Sequence, residues 1–352
     1  MQRLTQPLGF TIVGIAAAEP TGHADFIRNW LADGKHGQMH YLGRHLEQRL
    51  DPSAMLPGAK SIICVADRHA TQAQSPKPQG RVPAGRIARY AWGDDYHTII
   101  KKRLFELADA LRTQYPTHEF RAAVDTAPIL EREHAARAGL GWVGKHTLLI
   151  HPKLGSYLLL GEIVTTLVIQ ASSEAGLAAV TDHCGTCTRC IDACPTYCIS
   201  PYQLDAARCI SYLTIEHRDA IDPSLHNAMG DWITGCDVCQ QVCPFNRDHE
   251  IEVESPKSQV QSPSPQIQNP HAEIRNLYAA RPPAPAIRLL DVLNWDAKDR
   301  QKAFARSALK RIKLDMLKRN ALIAAGNYLT KHNDSALRQR IETLAANMSE
   351  PE

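Results

Sequence analysis

A layered fold of strands and helices, carrying a cysteine-rich insert and ending in a helical tail, is what this sequence predicts. Three observations lead there. Apolar, β-rich runs alternate with amphipathic helical patterns over residues 1–180. Four cysteines stand within the eleven residues Cys184 to Cys194 of CGTCTRCIDACP. From about residue 296 the chain turns helical again. With 352 residues, 44% of them apolar, the chain can bury one large or two modest cores, which excludes wholesale disorder.

In chain order, LGFTIVGIAAA after Arg3 has the charged start, apolar middle and small-residue end of a signal peptide, yet it equally suits a first buried element of the fold. The cysteines favour the buried element. Ten of them, crowded into C-x-x-C spacings, suit metal ligation in a reducing cytosol better than disulfides in a secreted domain. SIICVA (61–66) and YLLLGEIVTTLVI (157–169) read as strands, with Cys64 a core residue. YHTIIKKRLFELADALRTQY (96–115) reads as a helix with Ile99, Leu104, Leu107 and Leu111 on one face. Such alternation implies a sheet layered against helices, of α/β or α+β class. TQAQSPKPQGRVPAG (71–85) lacks any period and reads as a loop. The cysteines occupy 181–250, and 251–295, containing SPKSQVQSPSPQIQNP, reads as a linker returning to the core. Within 296–352, AKDRQKAFARSALKRI, MLKRNALIAAGNYLTK and SALRQRIETLAANM resemble one or two units of a HEAT-like α-solenoid, without a clean repeat period. No run of 18 apolar residues offers a membrane-spanning helix.

The cysteine spacing carries the chemistry. Cys184, Cys187, Cys190 and Cys194 followed by Pro195 match the C-x₂-C-x₂-C-x₃-C-P run of bacterial [4Fe–4S] proteins. Three closely spaced thiolates serve one cubane while the fourth serves a second, so a second copy is required. Cys236, Cys239 and Cys243-Pro244 supply its last three ligands, but Ile233 stands where the first belongs. Cys198 and Cys209 are the candidates for that vacancy. Cys198, four residues after Cys194, also suits a small buried hydrophobe, whereas Cys209 in LDAARCISYL can approach from outside and is the better fit. The exchange rule then assigns Cys184, Cys187, Cys190 and Cys243 to one cluster, and Cys194, Cys209, Cys236 and Cys239 to the other. Structural zinc, the competing use of C-x-x-C pairs, needs neither a third cysteine at this spacing nor C-P.

Net charge is +3, but eight thiolates around two clusters take the loaded chain to about −1. Global charge therefore predicts no nucleic-acid partner, and any such partner needs a local patch. Residues 300–320 provide one, with eight Lys or Arg, among them Lys310, Arg311 and Lys313, against Asp315 alone. A charge run of this kind is more often a solvated face. Neither a G-x-G-x-x-G turn nor a P-loop lysine motif is present, so the electrons need an acceptor other than a dinucleotide.

VDTAPILERE (124–133), AGLGWVGKHTLLIHPKLGSYLLLGEI (138–163), CGTCTRCIDACPT, LDAARCISYLTIEHR (204–218), GCDVCQQVCPFN (235–246) and RNALIAAGNYL (319–329) together make the chain resemble the epoxyqueuosine reductases. That resemblance covers nearly the whole chain. It implies a cobalamin-binding catalytic domain beside the two-cluster segment, and two-electron reduction of the epoxide on the cyclopentane ring of epoxyqueuosine at the tRNA wobble position. It also implies a cytoplasmic location and an external electron donor of the flavodoxin or ferredoxin kind. Asp125 matches the family's proton donor in DTAP; Arg49, His146 and Ser211 match cobalamin neighbours, and His217 matches a tRNA contact. The cobalamin is expected base-off, because Asp95-Tyr96-His97 begins the histidine-ligand motif D-x-H-x-x-G but Ile100 replaces its glycine. On its residues alone, Asp125 ahead of PILEREHAARAG suits a helix N-cap. As a general acid shielded by apolar neighbours, its pKa is expected to be raised. A reductive dehalogenase shares this cofactor logic but typically enters through a twin-arginine signal, and here the N-terminus has only Arg3. A ferredoxin-like carrier subunit would not need the long α/β portion.

Cys209→Ser should lower bound iron and impair one cluster, because serine is the harder and weaker ligand, while Cys198→Ser should keep about eight irons per chain. Iron and sulfide analysis with EPR of the reduced protein reads the difference; the reverse pattern would exchange the two assignments.

Overall fold

The computed structural model describes residues 2–69, 82–172, 180–246, 274 and 276–349. Its main sheet has four strands in the order Ile12–Ala17, Ser61–Arg68, Leu158–Thr165, Phe120–Ala123, every pair antiparallel. The run after Arg3 is thus a paired strand of the core. Period-two alternation sorts the side chains of the central strands: Ile63, Val65 and Ile163 join one apolar cluster, Ile62, Cys64, Ala66 and Val164 another. The first cluster is completed by the helix Tyr96–Gln114, the second by the helix Glu131–Arg137 with Met55 and Leu149. Helices therefore cover both faces of an antiparallel sheet, which places this region in the α+β class.

The helix Tyr96–Gln114 buries Ile100, Arg103, Leu104, Leu107, Ala108 and Leu111. Its apolar stripe is centred on Ile100 and not on Ile99, which is only partly buried at its margin. The rows i, i+4, i+7 and i+11 run from Ile100 through Leu104 and Leu107 to Leu111, and Ile99 starts a row displaced by 100°.

A second sheet joins three distant parts of the chain. Ala84–Ile87 pairs in parallel with Trp232–Thr234 on one side and antiparallel with Ala286–Arg288 on the other. Ala84 and Gly85, assigned to a loop from sequence, therefore begin a strand. The rest of that loop from 71 to 81, and the polar stretch 255–270, lie outside the described residues. Ile233, 0% exposed, enters a cluster with Ile287, Leu289, Val292, Phe304, Leu309, Ile312 and Leu317. This cluster packs the helices Leu289–Asn294, Leu314–Leu329 and Ser335–Ser349 together. The basic stretch is less helical than expected. Lys310 and Arg311 sit on the 3₁₀ turn Ala308–Arg311, and Lys313 is the residue before the helix Leu314–Leu329. No helix among the described residues is long and apolar enough to cross a membrane.

One buried polar knot fastens the returning segment to the main sheet. Arg103 ion-pairs with Asp67 and donates to Tyr278 Oη at 3.1 Å, and Tyr278 donates to Asp67 at 2.7 Å. All three are buried. Asp67→Ala leaves Arg103 charged and unpaired in the interior, so it should cost about 3–5 kcal/mol, whereas Tyr278→Phe should cost only about 1 kcal/mol. Urea unfolding of the two variants checks the ranking; equal costs would show that the ion pair is not the knot's main support.

Candidate functional site

Asp125 lies in the turn between the strand Phe120–Ala123 and the helix Glu131–Arg137. It does not cap that helix, whose N-cap is Leu130. Instead its backbone is left-handed, with φ +28°, and its N–H donates to the Glu131 carboxylate. An aspartate at positive φ needs such an anchor, because L-residues visit this region at a cost.

The partner of Asp125 is His97, which the sequence reading passed over as the remnant of a cobalt-ligand motif. His97 Nε2 lies 2.9 Å from Asp125 Oδ2, and His97 Nδ1 lies 2.7 Å from Asp95 Oδ1. Asp95 is the N-cap of the helix Tyr96–Gln114, its side chain accepting from the His97 backbone N–H, which brings that ring to the helix start. The other Asp95 oxygen pairs with Lys310 Nζ at 2.7 Å. Lys310, Asp95, His97 and Asp125 thus form one continuous chain of charged contacts. Tyr96 stacks on the His97 ring at 3.9 Å, and Arg311 pairs with Glu216 at 3.2 Å nearby.

Electrostatics move the proton off Asp125. Burial would raise its carboxyl, but the hydrogen bond and charge of His97, helped by Arg311, hold it below the usual carboxylate value. The expected raised pKa is therefore reversed. His97 takes the opposite shift: burial would lower it, yet Asp125 and Asp95 raise it to about 9. Asp95, despite burial, is pulled down to about 2 by His97 and Lys310. Glu131, behind the Asp125 loop, is pushed up to about 8 by burial and then by Asp125 and Glu162. At neutral pH the site holds an ionised Asp125 against a protonated His97, with a neutral acid beneath.

The other residues singled out from sequence divide into three groups. Arg49 comes to this site: the charges of Tyr41, Glu131 and Asp125 act on its guanidinium, and its buried Nε has no hydrogen-bond partner among the described residues. His146 lines the cavity that holds Cys184, Cys187, Cys190 and Cys243. Burial and then Arg132 lower it to about 4, its Nδ1 accepts from Leu148 N–H at 3.2 Å, and its buried Nε2 lacks a partner among the described residues. Ser211, half-buried, is on the first turn of the helix Ile210–Ile215 that follows Cys209. His217 has both ring nitrogens engaged within the chain, by Tyr212 Oη at 3.4 Å and Ala220 O at 3.0 Å. Lys310 and Arg311 are held by acids, while Lys313 is exposed.

The cysteines separate into two sets, as their spacing requires. Cys184, Cys187, Cys190 and Cys243 line one cavity together with Lys145, His146 and Phe245. In the second set, Cys194 packs with Cys198, Cys209 and Cys239, and Cys209 and Cys236 pack against the cluster around Tyr212 and Trp232. Burial, reinforced by the charges of neighbouring cysteines and Asp237, pushes the Cys236 and Cys239 thiols up. Four such thiols ionise together only when iron replaces their protons. Ile233, whose side chain has no donor atom, is wholly buried in the core. Cys209 reaches the set as the residue capping the helix Ile210–Ile215. Cys198, buried, has its Sγ 3.4 Å from Cys194 Sγ.

Comparison with known proteins adds to this geometry. Residues 49–126 match the family model described as epoxyqueuosine reductase QueG, DUF1730, and residues 183–246 match the 4Fe-4S double cluster binding domain. The chain is 41% identical over 249 residues to an epoxyqueuosine reductase of Leadbetterella byssophila, covering 70% of this chain and 79% of that protein. To that of Cyclobacterium marinum it is 36% identical over 328 residues, covering 91% and 94%. Among solved structures, the epoxyqueuosine reductase of Streptococcus thermophilus superposes with TM-score 0.80 at 28% identity, covering 99% of this chain and 85% of that one.

The titration of His97 tests the electrostatic arrangement. Its folded pKa, about 9, stands above the ordinary 6.5, so stability from the Asp95–His97–Asp125 contacts should be full below pH 6.5 and fade as pH rises to about 9. Histidine NMR, with His97→Gln for assignment, should show this ring titrating near 9 and moving down in Asp125→Asn. A His97 midpoint near 6.5 would dissolve the pair.

Proposed function

The chain belongs to the epoxyqueuosine reductase family, and from that premise we propose that it removes the epoxide oxygen of epoxyqueuosine at the tRNA wobble position in a site built around Asp125. The reaction takes up two electrons and two protons, turning the epoxide into an alkene and water. One observation carries the assignment: Asp125 is backed at 2.9 Å by a histidine that holds a proton at neutral pH.

Cobalamin, when bound, supplies low-potential electrons to the epoxide and is recharged one electron at a time by the two [4Fe–4S] clusters. The residues present fit such a group. Arg49 Nε and His146 Nε2 are buried donors without partners among the described residues, suited to the amide-rich rim of a corrin, and Ser211 adds a hydroxyl on the helix after Cys209. His97 is not free to be a cobalt ligand, since both its nitrogens face carboxylates, which supports base-off binding.

The chain's own part in the chemistry is proton supply. Asp125 faces the leaving oxygen and passes on the proton that His97 stores. Asp95 fixes the His97 ring through Nδ1 and favours its protonated form, as the orienting carboxylate does in a catalytic triad. Lys310 balances the charge on Asp95. The neutral Glu131 holds the Asp125 turn without adding a second negative charge.

The tRNA approaches, in this reading, over the basic stretch of the tail. Lys313 is available to a phosphate, and Lys310 and Arg311 become so by exchanging their acids for one; His217 contributes at the same face. We divide the chain into a cobalamin-binding unit (1–180), a two-cluster unit (181–250), a returning linker (251–295) and a HEAT-like tail (296–352). An electron-carrier protein of the flavodoxin or ferredoxin class supplies the reducing equivalents, and the tRNA substrate places the protein in the cytoplasm.

Anaerobic reconstitution followed by incubation with epoxyqueuosine-containing tRNA should convert the nucleoside to one lacking a single oxygen, read by mass analysis. Asp125→Asn should retain cobalamin and both clusters yet lose about 10²–10⁴-fold in turnover, because an amide cannot relay the proton. Near-normal turnover in that variant would remove Asp125 from the mechanism.

A further inference from the structure

Eight cysteines serve as ligands in this reading and Cys64 lies in the core, which leaves Cys198. Its side chain is 5% exposed, and its Sγ lies 3.4 Å from Cys194 Sγ. Cys209 packs against the same Cys194–Cys198 cluster. Both neighbours belong to the second ligand set. Thr196, 1% exposed, brings a hydroxyl to 3.7 Å from Cys194 Sγ as well.

The backbone holds Cys198 in this position. After Pro195 the chain closes a turn, Tyr197 N–H donating to Cys194 O at 3.1 Å, and Tyr197 adopts φ +52°, which directs the next residue back over Cys194. On the far side Ile199–Ser200 pairs with Gln203–Leu204, and Asp205 N–H donates to Cys198 O at 2.8 Å. Cys198 is thus pinned from both directions. With Cys194 and Cys209 committed to iron as thiolates, the acceptors around Cys198 are their sulfurs, and it has one S–H to donate. Hydrogen bonds to ligand sulfur spread the negative charge of a reduced cluster and raise its potential.

We propose that Cys198 is a positioning residue of the second cluster, donating its S–H to the ligand sulfur of Cys194 or Cys209 and, with Thr196, making that cluster the more readily reduced of the two. The inference rests on the two-cluster reading and the ligand assignment above. Its consequence is directional: an electron entering at the first cluster is drawn to the one whose ligand Cys209 heads the helix Ile210–Ile215.

The test is an EPR-monitored redox titration of the full-length reconstituted protein, comparing the wild type with Cys198→Ala, Cys198→Ser and Thr196→Val. Cys198→Ala should keep both clusters and shift the partition of one electron roughly tenfold toward the first cluster, equivalent to about 59 mV for a one-electron couple. Cys198→Ser, whose hydroxyl still donates, should recover most of that shift, and Thr196→Val should move the potential in the same direction as Cys198→Ala. Unchanged potentials in Cys198→Ala, or an equal shift of both clusters, would overturn the proposal. Loss of iron from Cys198→Ala would also overturn it, by making Cys198 a ligand. A wild-type protein holding a single cluster would instead defeat the two-cluster reading, and the proposal with it.

Discussion

The docking of one short strand, Trp232–Thr234, decides how the rest of this molecule is assembled. It lies beside Ala84–Ile87, whose opposite edge takes Ala286–Arg288, so the cysteine segment, the sheet domain and the returning chain meet in three strands. The contact is close because residue 85 is glycine: a Cβ there would come within 2.5 Å of the Ile233 side chain. Asn320, wholly buried on the tail, then donates to the carbonyls of both Ile233 and Thr214 at 2.9 Å, and Gly235 N–H reaches Thr214 Oγ1 at 2.9 Å. Two buried strand and helix carbonyls are thereby paired with the tail. Residue 233, where the second cysteine run would place its first ligand, is committed to the apolar core, and Cys209 stands at the head of the neighbouring helix beside Cys194 and Cys239.

Charge closes the same junction on its outer side. Asp94 is met by Arg306 at 2.6 Å and Arg281 at 3.1 Å, Asp95 by Lys310, and Glu216 by Arg311. Each pair ties an acid near the Asp125 turn or the cysteine segment to a base on the returning chain or tail. The half-exposed pairs add little stability individually. Their larger effect is on protonation: Asp95, held ionised between Lys310 and His97, leaves His97 cationic, and His97 leaves Asp125 ionised. Lys310, on the tail, is the far end of the chain of contacts that runs through Asp95 and His97 to Asp125.

The cysteine chemistry and the family were legible in the sequence, because ligand spacing is a local property: the loops between Cys184, Cys187 and Cys190 set which thiols can converge before any tertiary contact forms. The central strands and the helix Tyr96–Gln114 were legible for the same reason, since periodicity is written within each element. What only the tertiary structure decided involves partners distant along the chain. His97 lies 28 residues before Asp125 and stands over it only because the sheet brings the start of one helix to the turn before another. Asp95 finds Lys310 more than two hundred residues later. A basic stretch in the sequence does not reveal which of its side chains fold back onto acids, and a lone aspartate does not reveal the histidine that reverses its pKa shift. Interaction energies between charges depend on distance and burial in space, and neither quantity is carried by order along the chain.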